Sequence, residues 1–245
     1  MADSRRREIQ AAIPLVATLC MTAGSIDSMA YILFGKIFIA NMTGNTVLFA
    51  ASVLLRDWKE AALRIGVVFT FLIGIFMAET LLRKLTAGRE RRREMITLAI
   101  EFIVLSWLAL TPHPDTLRIV LLLVLAFAMG MQNNAFQRIG PIKLNTAFIT
   151  GDLENLGEAI AESEKPEKRA EGRRRSAVFF TTWAAYAVGA LLGAFGALHL
   201  KEKALWIPAG LVVVAAMMLL RMPTTAISAK VNSTGGRQNS RGKRE

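Results

Sequence analysis

Eight long stretches of the chain are dominated by apolar residues, and most charged residues gather in the segments between them. A helix rises about 1.5 Å per residue, so roughly 20 apolar residues are enough to cross the hydrocarbon core of a bilayer. The pattern therefore predicts an all-α fold, namely a polytopic membrane helix bundle. The stretches are Ile13–Phe34, Ile37–Leu55, Ala61–Leu82, Met95–Leu110, Leu117–Phe136, Leu144–Ala161, Ala177–Leu198 and Ala204–Leu220.

Two of these stretches are interrupted by polar residues. The second contains "IANMTGNTV" (Ile39–Val47), and the sixth contains the related phrase "NTAFITGDL" (Asn145–Leu153) together with the acids Glu154 and Glu158. A charge at the bilayer centre costs about 2.5–3.5 kcal/mol on insertion scales, and non-helical backbone at that depth is tolerated only inside protein or beside water. Both stretches are therefore predicted to be broken or re-entrant rather than lipid-facing spans.

The distribution of Lys and Arg supports this prediction, because basic residues accumulate in cytoplasmic loops. If all eight stretches cross, 19 of the 30 basic residues lie inside and 11 outside. If the second and sixth stretches return to the side from which they enter, the inside holds 23 and the outside seven. The sequence thus predicts six full spans plus two re-entrant segments, with both termini in the cytoplasm.

The net charge and the positions of the basic residues also indicate the kind of partner and the domain organisation. The net charge of +11 could indicate nucleic-acid binding, but the arginines collect in short loops between apolar stretches, as they do in membrane proteins. We therefore expect no nucleic-acid partner. Residues 1–222 are predicted to form a single integral membrane domain, and the basic tail 223–245 is predicted to be disordered and cytoplasmic.

The two halves of the chain resemble each other. "GSIDSMAY" (Gly24–Tyr31) matches "GMQNNAFQ" (Gly130–Gln137) at an offset of 106, and "MTGN" (Met42–Asn45) matches "ITGD" (Ile149–Asp152) at an offset of 107. The halves, about 9–111 and 115–222, would enter the membrane from opposite sides. Inverted repeats with paired broken elements are typical of transporters and indicate where the site lies.

The polar residues of the repeat are the candidate substrate-binding residues. Each half supplies one carboxylate, and the matched position in the other half is an amide, so a two-fold axis would gather them into one cluster. Such a cluster suits a proton relay, a coordinated cation or a polar solute. The alternative for Asn45 and Asp152 is helix capping. Asp27 is expected to line a polar cavity rather than to satisfy neighbouring backbone. The candidates are Asp27, Asn41, Thr43, Asn45, Asn133, Asn134, Thr150 and Asp152.

These motifs resemble the YoaK-like proteins, a bacterial family of integral membrane proteins described as a domain of unknown function. The resemblance is carried by G-x-x-D, "NMTGN", G-x-[QN]-N and "TGDL", and it extends from about Ile9 to Met222. It implies a multi-pass protein of the bacterial inner (plasma) membrane. It implies no substrate, cofactor or catalytic residue.

The leading hypothesis is a transporter or channel for a small polar solute or cation, with the lipid bilayer as the other partner. Proton coupling and oligomerisation are left open. A structural or lipid-binding membrane protein is one alternative. An intramembrane hydrolase is a weaker one, because neither H-E-x-x-H nor G-x-S-x-G occurs. We therefore expect no enzymatic activity, no cofactor and no metal site.

Overall fold

Helices account for nearly all of the residues that the computed structural model describes, which are 2–87, 89–110, 115–136, 138–139, 142–143 and 149–222. The helices are α1 (Ala2–Leu33), α2 (Met42–Leu54), α3 (Trp58–Met77), α4 (Arg83–Leu85), α5 (Glu90–Leu110), α6 (Asp115–Ala135), α7 (Ile149–Glu164), α8 (Arg169–Leu200) and α9 (Trp206–Arg221). A π-helical turn, Ala78–Leu82, joins α3 to α4, and a 3-10 turn, Lys201–Leu205, joins α8 to α9.

The all-α prediction is confirmed with one small addition. Two strands of two residues, β1 (Arg138–Ile139) and β2 (Ile142–Lys143), pair in antiparallel fashion after α6. The second apolar stretch becomes helical only at Met42, so its first five residues are not part of α2. Residues 144–148 of the sixth stretch and the predicted disordered tail 223–245 lie outside the described residues.

Four helical stretches in the described part of the chain are long and apolar enough to cross a membrane: Ala11–Leu33, Trp58–Leu85, Leu117–Ala135 and Arg169–Arg221. The last of them contains both α8 and α9. Large apolar side chains on α3 and α8 point away from the rest of the bundle. An apolar surface of this extent is suited to lipid. These side chains include Phe69, Leu72, Ile73, Phe76, Phe180, Leu191, Phe195 and Leu198.

Each helix packs mainly against one or two others, and the same pairing pattern occurs in both halves of the chain. The most extensive contacts join α1 to α8 and α3 to α6. The short helices α2 and α7 pack against the helices that follow them, α3 and α8. Finally, α5 and α9 pack against each other, and each also packs extensively against one further helix, α6 for α5 and α1 for α9.

Glycines allow α1 and α8 to approach until their backbones touch. A Cβ on Gly24 would lie 2.2 Å from the carbonyl oxygen of Tyr186, and one on Gly189 would lie 2.1 Å from that of Met21. A Cβ on Gly193 would lie 2.4 Å from the carbonyl oxygen of Ser25. Gly189 and Gly193, which form a G-x-x-x-G motif in α8, therefore mediate close helix packing.

The contact between α3 and α6 has the same construction. A Cβ on Gly74 would lie 2.2 Å from the carbonyl oxygen of Phe127, and one on Gly130 would lie 2.1 Å from that of Phe71. Both long helix pairs are thus held at a separation that no larger residue would permit. They form the rigid frame against which the two broken segments are placed.

Candidate functional site

The first broken segment is fixed to the frame by the carboxylate of Asp27. Because α2 begins only at Met42, the backbone N–H groups of Ile39 and Ala40 have no partner within a helix. Oδ1 of Asp27 accepts hydrogen bonds from both of them at 2.6 Å. Oδ2 accepts a hydrogen bond from the hydroxyl of Tyr186 at 2.7 Å. Asp27 therefore satisfies neighbouring backbone, which is the role that the sequence interpretation placed second.

The asparagines of "IANMTGNTV" also hold this segment. Asn41 is the N-cap of α2, and its side chain accepts a hydrogen bond from the N–H of Gly44 at 3.0 Å. Asn45 lies inside α2, fully buried, and its amide exchanges two hydrogen bonds with the backbone of Phe38, at 2.9 and 2.5 Å. Capping by Asn45 is therefore wrong, because the helix begins one turn earlier than the T-G-N phrase suggests.

The chain turns sharply where α1 ends. Gly35, which follows α1, has φ +89, and Lys36 has φ 57, so the chain reverses direction here. A Cβ on Gly35 would lie 3.7 Å from a carboxylate oxygen of Glu60, in the first turn of α3. Gly35 before the excursion and Glu60 after it are therefore neighbours, and the intervening chain reaches inward to Asp27.

The second broken segment is anchored by Asp152. This residue lies in the first turn of α7, which begins at Ile149, so it does not occupy the N-cap position. Asp152 is fully buried, and Oδ2 accepts a hydrogen bond from the hydroxyl of Thr182 at 3.1 Å. The far end of α7 is fixed near the beginning of α8, where Arg175 and Glu162 form an ion pair at 2.5 Å.

The two acids meet the same face of α8. Thr182 binds Asp152 and Tyr186 binds Asp27, and residues four apart are neighbours on the surface of a helix. Asp27 and Asp152, which are 125 positions apart in the chain, thus lie about one helical turn from each other along α8.

The remaining candidates differ in their surroundings. Thr43 and Thr150 are exposed. Asn133 and Asn134, at the end of α6, are buried, and the side-chain oxygen of each has no hydrogen-bond partner among the described residues. Both amides therefore retain acceptor capacity. They precede the second broken segment, as Asp27 precedes the first.

The matched positions of the two halves differ in a correlated way. The offset of 106 relates Asp27 to Asn133, and the matching glycine contacts relate Tyr186 to Phe71. Asp27 of the first half binds the hydroxyl of Tyr186 of the second half, whereas the residues at the exchanged positions are Asn133 and Phe71, and Phe71 lacks that hydroxyl. The acid and the tyrosine therefore form one hydrogen-bonded unit that joins the two halves at only one of the two matching helix contacts.

One buried acid was missed by the sequence interpretation. Glu101 of α5 is fully buried, and Oε2 accepts a hydrogen bond from Nε2 of Gln132 in α6 at 2.9 Å. The signal was present, because Glu101 is the acid within the apolar stretch Met95–Leu110. It lacks a counterpart in the repeat, which is why a search guided by matched motifs passed over it.

No group of three or more His, Cys, Asp or Glu side chains in the described ranges is arranged to hold a metal ion. What the arrangement provides is a set of buried carboxylates, amides and hydroxyls on closely packed apolar helices. Such groups bind protons, cations or hydrogen-bonding solutes.

Apolar helices of this length, packed around buried polar residues, define a polytopic helical membrane protein. The chain belongs to the family described as "Protein of unknown function (DUF1275)", whose model matches residues 15–218. It is 27% identical over 202 residues to the UPF0700 transmembrane protein YoaK of Bacillus subtilis (strain 168), covering 79% of this chain and 88% of that protein.

A second relative is the UPF0700 transmembrane protein RA0705 of Rhizobium meliloti (strain 1021). It is 26% identical over 206 residues, which cover 83% of this chain and 84% of the relative. No solved structure matches the chain at a significant level. The resemblance to YoaK-like proteins is thus confirmed, and both relatives are named as transmembrane proteins.

Proposed function

We propose that the protein is a transporter or channel for a small polar solute or cation and that it has no enzymatic activity. The observation that carries this proposal is the convergence of two broken segments on one face of α8, through Asp27 and Asp152. Broken elements with buried polar residues at membrane depth are costly in lipid and are retained where a solute or ion has to be bound.

The geometry of the first segment supports a re-entrant arrangement. Gly35 and Glu60 lie side by side, so the chain returns to the end of α1 from which it departed. In the second segment, α7 runs from Asp152, beside the middle of α8, back to Glu162, beside the first turns of α8. Each segment therefore occupies only part of the membrane depth, which leaves six spans formed by α1, α3, α5, α6, α8 and α9.

The glycine contacts support an inverted repeat. An offset of 106 relates Gly24 to Gly130, and an offset of 115 relates Tyr186 to Phe71. Under these offsets the contact of Gly24 with Tyr186 becomes that of Gly130 with Phe71. The packing of the helices is symmetric in the same way. The repeat relates α1 to α6, α3 to α8 and α5 to α9, so the pair α1–α8 corresponds to the pair α6–α3, and the pair α5–α9 corresponds to itself.

The hydrogen bonds favour different roles for the two segments. Both oxygens of Asp27 already bind donors of the protein, so we infer that Asp27 positions the first segment. Solute contact then falls to the second segment and the amides before it, at Asn133, Asn134, Thr150 and Asp152. Glu154 and Glu158 are exposed one turn apart on α7, and this acidic face favours a cation or a neutral solute over an anion.

Cysteine labelling tests the topology. In a Cys20→Ala background, we expect Lys59→Cys to react with a membrane-impermeant maleimide added to intact cells. Lys84→Cys and Glu167→Cys should react only after the inner membrane is permeabilised, because the basic loops lie in the cytoplasm. All three positions are exposed, so failure to react reports the side of the membrane rather than burial. Labelling of Lys59→Cys only after permeabilisation would overturn the re-entrant arrangement.

Flux measurements test the transport function. The purified protein is reconstituted into liposomes, and proton, sodium and potassium fluxes are followed alongside osmotic swelling in urea, polyols, sugars and amino acids. We expect at least one flux above that of empty liposomes, and we expect Asp152→Asn to abolish it. Asp57→Asn, which changes an exposed N-cap at the beginning of α3, is the control and should retain the flux.

Two results would contradict the transport proposal. If the folded wild-type protein raises no flux across this panel, the structural or lipid-binding alternative replaces it. If a flux is found and Asp152→Asn retains it in full, the acid on α7 is not part of the solute path. Size-exclusion profiles of each variant in detergent separate these results from misfolding.

A further inference from the structure

The buried face of α5 is polar in its first half and apolar in its second. Glu94, Thr97 and Glu101 are all buried and are spaced three and four residues apart, so they lie on one side of the helix. The buried positions beyond Glu101 are Val104, Leu105 and Leu108. A continuous polar strip therefore extends from the charged beginning of α5 to Glu101 and ends there.

Glu101 and Gln132 form a hydrogen-bonded pair that is incomplete. Nε2 of Gln132 donates to Oε2 of Glu101 at 2.9 Å, and neither residue has any solvent exposure. Within the described part of the chain, Oε1 of Glu101 and Oε1 of Gln132 are both buried without a hydrogen-bond partner. Two acceptor oxygens are thus left over, and each costs free energy when it is buried without a donor.

No cation in the described part of the chain forms an ion pair with Glu101. The helices packed against α5 carry charged residues only near their ends. In α6 the last charged residue is Arg118, which forms an ion pair with Glu202 of the 3-10 turn. In α9 the charged residue is Arg221. Lys201 and Lys203 also lie in the 3-10 turn. On the π-helical turn, Glu79 pairs with Arg83 and Arg93, and Lys84 follows in α4. An ionised Glu101 carboxylate would therefore be buried without a counter-charge, which is strongly unfavourable.

We propose that Glu101 and Gln132 form a proton-binding site within the membrane domain. When Oε1 of Glu101 is protonated, it can donate a hydrogen bond to Oε1 of Gln132. Oε2 of Glu101 still accepts its hydrogen bond from Nε2 of Gln132. The acid and the amide then form a cyclic pair, and both leftover oxygens gain a partner. Binding takes one proton from solvent, and release returns it and leaves the carboxylate.

The polar strip supplies the path to solvent. Thr97 lies one turn from Glu101, and its hydroxyl donates to the carbonyl oxygen of Arg93 at 3.0 Å. Arg93 forms an ion pair with Glu90 at 2.6 Å, where α5 begins. Beyond Glu101 the fully buried residues of α5 are apolar, and the hydroxyl oxygen of Ser106 is the one buried side-chain oxygen that this part of the described helix adds. The polar strip therefore favours proton entry from the end where α5 begins.

The fold itself does not require a polar pair here. The offset of 106 that relates Gly24 to Gly130 relates Ile26 to Gln132, and Ile26 is buried to nearly the same extent. An apolar residue therefore fills the corresponding place in the first half. The Glu101–Gln132 pair is a departure from the repeat, as expected for residues that bind something.

Infrared spectroscopy of the full-length protein in lipid nanodiscs tests the site directly. The wild type is expected to show the carbonyl stretch of a buried protonated carboxylic acid, with a shift in heavy water. Glu101→Gln should remove that band and still fold, because its amide can exchange two hydrogen bonds with Gln132. Thr97→Val should keep the band and slow its hydrogen–deuterium exchange by about tenfold, as expected when one hydrogen-bonding step of the path is lost.

Each outcome decides one part of the proposal. If the band persists in Glu101→Gln, or is absent from the wild type at every pH between mildly acidic and alkaline, the proton site is overturned. If the band is lost in Glu101→Gln but Thr97→Val exchanges as fast as the wild type, the site stands and the path is overturned. The measurement contains no transport step, so its failure is distinct from failure of the proposed function.

Discussion

Replacing Asp27 by alanine is expected to lower the free energy of unfolding by about 3 kcal/mol or more, because three buried donors lose their acceptor. The change leaves the N–H groups of Ile39 and Ala40 and the hydroxyl of Tyr186 buried without an acceptor. Each unsatisfied group costs about 1–3 kcal/mol. Thermal unfolding in detergent, followed by fluorescence size-exclusion chromatography, measures the loss.

Two milder variants serve as controls for Asp27. Asp27→Asn keeps an acceptor for the two N–H groups and should lose less stability than Asp27→Ala. Tyr186→Phe removes one hydrogen bond to a charged group, which is worth about 1.5–3 kcal/mol. The double variant Asp27→Asn with Tyr186→Phe introduces the residue types found at the matching positions Asn133 and Phe71. Its loss of stability should be smaller than the sum of the two single losses. Wild-type stability of Asp27→Ala would contradict this account of the first segment.

Alanine at Gly24 or Gly189 is expected to separate α1 from α8 and to destabilise the protein by about 3 kcal/mol or more, at the upper end of overpacking costs. The added Cβ would lie 2.2 or 2.1 Å from a backbone carbonyl oxygen, and backbone cannot rotate away as a side chain can. Gly74→Ala and Gly130→Ala should have similar effects on the pair α3 and α6. The same unfolding measurement, together with expression yield, checks the result.

Gly210 of α9 provides the matched control. No heavy atom lies within 4 Å of the Cβ that alanine would place there. Because alanine is favoured over glycine in a helix by about 1 kcal/mol, Gly210→Ala should leave stability unchanged or raise it slightly. If Gly24→Ala were as stable as Gly210→Ala, the two long helices would not be in backbone contact.

The amino-acid pattern by itself was sufficient for the class of protein and for much of the architecture. Apolar stretches of about 20 residues have few solutions other than helices in a membrane, because every backbone polar group must be satisfied within the segment. The interruptions at "NMTGN" and "TGDL" marked where the short helices α2 and α7 begin. These features depend on neighbours in the chain, so local reasoning reached them.

The partners of the buried polar residues were decided only by the tertiary structure. The sequence brought Asp27 forward as a candidate for solute binding, but its ligands are the backbone of Ile39 and Ala40 and the hydroxyl of Tyr186, 159 positions away. It also passed over Glu101, whose partner Gln132 lies on another helix. Hydrogen bonds in a dry interior are set by which helices meet and at what depth, and the pattern of apolar residues along one helix does not encode that depth.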